Sequence, residues 1–118
     1  MLTELEDVEQ NKDEPRRRWF RDDFFDLIVW FNERGEIVLF QIGYDPDGED
    51  GLLEWRPLSG LSHFKVDTAG RRPARHARTP FLVPAPAPAL GPLIDDFEKR
   101  TGEIDPEIIG FVMPILRG

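Results

Sequence analysis

The chain has no cysteine. Disulfide staples, thiolate nucleophiles, iron–sulfur clusters and cysteine zinc sites are thereby excluded, and packing must hold the fold together. Long apolar runs are also missing. The longest uninterrupted one, Leu27 to Phe31, covers five residues, whereas a helix needs about 20 to cross a bilayer. The N-terminus, MLTELEDVEQNKDEPRRR, is acidic at its start and has no apolar h-region, so neither a signal nor a transit peptide is read there and a cytoplasmic location is the default expectation. Catalytic signatures are absent as well: the chain holds no nucleophile elbow, glycine-rich phosphate loop, dinucleotide fingerprint or HExxH zinc motif.

What is present fits one domain of 118 residues, with 40% hydrophobic and 11% aromatic residues to fill a core. Twelve arginines against three lysines, with 11 prolines, hint at a GC-rich bacterial coding sequence. The net charge of −8 argues against general binding to a phosphate backbone. That charge is unevenly spread, because residues 68 to 92 carry Arg71, Arg72, Arg75 and Arg78 and no acid. Such a cluster suits an acidic protein surface or a small anionic ligand, and nucleic acid is disfavoured by the acidity of the rest.

Residues 1 to 15 are polar and acidic and end at Pro15. Leu2, Leu5 and Val8 support at most a short amphipathic helix, with too little apolar area to offset its ordering entropy, so a mobile or loosely attached segment is expected. Residues 16 to 118 form the single domain. Leu27–Phe31 and Ile37–Tyr44 are rich in β-branched and aromatic residues, and Gly35 in the intervening NERG suits a tight hairpin loop. Simple counting across that turn sets Val29 against Leu39 and Leu27 against Gln41 on one side, and Trp30 against Val38 and Asp26 against Ile42 on the other. Both faces are then apolar, and a hairpin of that kind must be covered twice. Leu52–Leu58 and Ser62–Val66 supply two further strands, giving an antiparallel meander of about four. Residues 68–92 follow as an Arg- and Pro-rich connector with one short edge strand at Phe81–Val83. Leu90, Leu93, Ile94 and Phe97 then read as one helix, and Asp105 caps a second, with Pro106 at its first position and Pro114 bending or ending it. The fold class is α+β, a sheet packed in two layers against C-terminal helices.

The acidic stretch Asp45–Asp50 fails as a calcium loop, since Asp50 stands where the sharp-turn glycine belongs and Arg56 where the bidentate glutamate belongs. It reads as a turn, and no metal or cofactor is expected. His63, Lys65 and Asp67 project from one side of a strand. His63 and Asp67, with Asp26 or Tyr44 in support, are the candidates for general acid–base work, against a bland reading as a solvated outer face. Trp30 and Trp55 are large apolar anchors for packing or binding. Asp26 and Gln41 are polar residues set in apolar runs, so burial would require that each be hydrogen-bonded, and Gln41 and Tyr44 join the binding candidates.

The pattern Trp19-Phe20, Phe25-Asp26-Leu27, Val29-Trp30, Phe40-Gln41, Tyr44-Asp45, Trp55, His63 and Asp67 resembles a group of small uncharacterised bacterial proteins. The resemblance covers residues 19 to 67 and implies membership without an activity. The expected function is a non-catalytic binding or assembly module that homodimerises through a sheet face. A small cofactor-independent hydrolase or isomerase using His63 and Asp67 is the alternative. A pocket joining His63 to Asp26 or Gln41 would favour the enzyme, and a flat apolar face closed by a second chain would favour the module.

Overall fold

Strong alternation and well-placed turn residues produce a sheet in which every strand pairs with its neighbour in sequence. The structure is a computed structural model and describes residues 1–10, 12–44, 51–66, 82–84 and 90–118. The strands are β1 (Thr3–Glu4), β2 (Arg16–Arg21), β3 (Phe25–Phe31), β4 (Ile37–Tyr44), β5 (Gly51–Arg56), β6 (Gly60–Val66) and β7 (Leu82–Pro84). They form one antiparallel sheet in the order β1 to β7. Six of them, β2–β7, have three or more residues, and β1 adds a two-residue edge, so the expectation of about four strands is corrected. The additions are β1 and β2, β7 being the short edge strand expected beside the meander. The basic stretch RRRWFR carries too few apolar residues to announce the β2 strand, and β7 is described from Leu82 to Pro84, Phe81 of the expected edge strand lying outside the described residues.

The hairpin turns explain the pairing. Asp22 Oδ1 accepts the N–H groups of Phe24 and Phe25, both at 2.8 Å, and this closes β2 onto β3. Between β3 and β4, Asn32 Oδ1 accepts from the N–H groups of Arg34 and Glu36, and Gly35 takes the left-handed conformation at φ 81°.

A β-bulge follows that turn. Phe31 pairs with Ile37, as counting requires, but Trp30 pairs with Leu39, so Val38 is the extra residue. All later partners move by one: Val29 faces Phe40, Leu27 faces Ile42, and Asp26 faces Gly43. The straight-count partners are corrected accordingly. The slip places Leu27, Val29, Phe40, Ile42 and Tyr44 together on one buried face, and Asp26 and Gln41 together on the other.

Two helices, α1 (Leu90–Lys99) and α2 (Pro106–Arg117), cover the first of those faces. Ile94 and Phe97 of α1 and Ile108, Val112, Met113 and Leu116 of α2 are buried, with Phe97 edge-on to Phe25 and Phe111 edge-on to Trp55. Asp105 caps α2 through the N–H of Glu107 at 3.0 Å. The helix runs through Pro114 and ends only at Arg117. The result is a two-layer α+β fold.

The N-terminal residues do not form a helix. Leu2 is fully buried in the core, its N–H donates to the Arg100 carbonyl at 2.9 Å, and the Leu5 N–H donates to the Trp19 carbonyl at 2.8 Å. Gln10 extends this attachment, exchanging hydrogen bonds of 2.9 Å with the backbone of Arg17.

Candidate functional site

Register decides which side chains can meet. In an antiparallel sheet, directly paired residues share a face and neighbours along a strand do not. Leu53 and His63 pair with one another and, through Ile42, with Leu27, so His63 lies on the helix-covered face. His63 is half-buried there, which corrects its reading as part of a solvated outer face, while Lys65, on the same side, is exposed. Asp26 and Gln41 lie on the opposite side of the sheet from His63.

His63 does meet Tyr44. The Tyr44 hydroxyl hydrogen-bonds His63 Nε2, and the two rings sit 5.9 Å apart. Gly51, directly opposite Tyr44, makes this possible, because a Cβ there would lie 2.5 Å from the tyrosine ring. Tyr44 is buried, and loss of hydration raises its phenol above the ordinary tyrosine value. It is a neutral donor or acceptor closed off by packing. Asp67, Arg71, Arg72, Arg75 and Arg78 lie outside the described residues.

Trp55 also belongs to the helix-covered face. It stacks on Phe40 at 5.7 Å and, with Phe31 and Phe111, walls a cleft of about 630 Å³ beside the start of α2. Arg18 stands at this cleft already paired, to Glu4 at 2.8 Å and Asp105 at 3.7 Å. The guanidinium holds the Glu4 carboxyl below its ordinary value.

The outer face presents a different arrangement. Its middle rung reads Trp19, Ile28, Gln41, Glu54, Ser62 across β2 to β6, and the rung beside it reads Arg21, Asp26, Gly43, Leu52, Phe64. On the other side Arg17, Trp30 and Leu39 align across β2 to β4. Trp19, Ile28, Trp30, Leu39, Leu52 and Phe64 are each half-buried, and none of them packs against the core cluster. Both helices lie on the other side, so among the described residues no second layer covers this face.

The polar groups here are tied to one another. Arg21 Nε lies 2.5 Å from Asp26 Oδ1, which also accepts from Trp19 Nε1 at 3.3 Å. Glu54 is only 9% exposed and accepts from Gln41 Nε2 at 2.7 Å and from Arg56 Nε at 3.1 Å. Each of the two carboxylates described on this face is matched to a guanidinium, and Arg17 adds one further cation at its margin, although the chain as a whole carries −8. Gly43, lacking a side chain between Asp26 and Leu52, leaves a notch of about 410 Å³ beside Gln41 and Ile28. Sequence reasoning singled out Trp30, Asp26 and Gln41 but set Gln41 on the side opposite the other two, and it missed Glu54, whose signal is an acid in the apolar run LLEW.

Among the described residues no group of three or more histidine, aspartate or glutamate side chains is placed to hold a metal ion, and no helix is long and apolar enough to cross a membrane. Compared with known proteins, the chain matches no family model, no curated protein and no solved structure.

Proposed function

We propose that the protein is a non-catalytic assembly module that pairs with a second copy of itself through the outer face of its sheet. The observation that carries this reading is the set of six large apolar side chains, three rungs deep, on a face that neither helix touches. Sheets stack face to face at about 10 Å, and a flat twisted face is complementary to its own copy under a two-fold axis. Charge supports a self-partner over a foreign one. Both carboxylates of the described face, Asp26 and Glu54, are matched to guanidiniums within the same copy, so an identical face meets no unpaired acid, and the one further cation, Arg17, sits on an outer rung.

The test is solution mass by light scattering after size exclusion at low and high salt. The expected mass is near twice 13.6 kDa and resists salt, because apolar burial is not screened. Trp30→Glu should return a folded monomer, since a central aromatic anchor commonly carries about 2 kcal/mol or more of binding. A wild-type protein that stays monomeric at high concentration overturns the reading.

A further inference from the structure

We propose that the two-fold axis of this assembly passes over Gln41, whose carboxamide pairs reciprocally with the same group of the second copy and so fixes the register of the two faces. The inference rests on the assembly reading above and adds where the axis lies and what sets it.

Position supplies the first argument. Gln41 lies on β4, the middle one of the five longer strands, and on the middle rung of the outer face, with Leu39 before it and Gly43 after it on the same side. Its direct partner on β5, Glu54, is the other polar residue at that centre, and it stands one strand further from the middle. Chemistry supplies the second. A primary amide carries an acceptor and two donors, so two of them related by a two-fold axis satisfy each other with a pair of N–H to carbonyl bonds. A carboxylate or an ammonium at the same point would meet only its like.

The neighbouring Glu54 supplies the third. By taking one Nε2–H of Gln41 at 2.7 Å it fixes which end of the amide is nitrogen, leaving Oε1 and the second N–H for a partner. Glu54 is itself completed by Arg56, so its carboxylate is satisfied within each copy before docking and only the amide of Gln41 keeps open positions. Stacked faces stand about 10 Å apart, and an extended glutamine from each side spans roughly half of that. A polar group with open hydrogen-bonding positions inside a largely apolar contact is a known means of selecting one register and one oligomer at some cost in affinity.

The test exchanges the two side chains, Gln41→Glu with Glu54→Gln. Each copy keeps its net charge and its amide–carboxylate pair, while the carboxylate moves to the axis and faces its own image. The expected result is a cooperatively folded chain whose dimer dissociation constant rises roughly a hundredfold at neutral pH, as like charges set face to face require. If the wild type is a monomer, the assembly reading fails and this inference with it. If the wild type is a dimer that Trp30→Glu dissociates, and the exchanged variant dimerises as tightly as wild type, only the axis assignment is overturned. Should the exchanged variant fail to fold, Gln41→Leu decides: the apolar centre should associate at least as tightly but yield masses beyond the dimer, and a discrete dimer of wild-type affinity overturns the assignment.

Discussion

Asp22 shows how much one carboxylate can organise. Its side chain is 5% exposed, closes the β2–β3 turn through two backbone N–H groups, and receives Arg100 Nη1 at 3.0 Å, with the N-terminal amine at 3.5 Å. Burial alone would raise the carboxyl, but the N–H groups of Phe25 and Phe24 and the guanidinium together hold it below the ordinary aspartate value. A depressed native pKa contributes stability above the unfolded value of about 3.9 and loses it as pH falls through the lower native value. The urea midpoint of the wild type should therefore hold steady above about pH 5 and decline below about pH 4, and Asp22→Asn should start lower and decline less. Parallel declines in the two proteins would show that Asp22 is not the group responsible. At this scale the sequence was partly legible. Asp26 and Gln41 stood out because polar residues in apolar runs need partners, whereas the partners themselves, Arg21 and Glu54, depend on strand pairing that no local pattern displays.

Val38 carries the lesson at the scale of the element. Counting outward from the Asn32–Gly35 turn pairs Phe31 with Ile37 correctly and every later residue wrongly, because one unpaired residue reverses which side of β4 faces which side of β3. The straight count put one polar residue on each face. The bulge gathers Asp26 and Gln41 on the same side and leaves Leu27, Val29, Phe40 and Ile42 as an uninterrupted apolar surface for the helices. Deletion of Val38 should leave a cooperatively unfolding protein, since Trp30 can still face Leu39 and every later pair is kept. Deletion of Gln41 should abolish cooperative unfolding, because Ile42 and Tyr44 would turn to the outside. Circular dichroism during urea titration reads both, and a collapsed Val38 deletion together with a folded Gln41 deletion would refute the bulge assignment. The helices were more legible than the strands. Asp105, Pro106 and the apolar stripe through Leu116 are local signals that tertiary contacts only complete.

The layered plan of the whole molecule follows from which elements have one apolar face and which have two. A sheet apolar on both sides and helices enough for one side were readable from the sequence. The strand count was not, because β2 borrows its place from β3 and the first ten residues attach to it through Thr3, Glu4, Leu5 and Gln10. If folding and association are linked, the thermal midpoint should rise with protein concentration, and the rise should vanish in Trp30→Glu. A midpoint independent of concentration in the wild type would separate the two processes.

The two ends of the strand order matter in another way. One edge is the two-residue β1 and the other is the three-residue β7, which closes on Pro84, a residue with no N–H to offer. An open sheet with long bare margins would invite endless sideways growth into fibrils. Here the outermost strand on each side, among the described residues, is two or three residues long and one of them ends on a residue without a donor, so neither offers a long template for another strand.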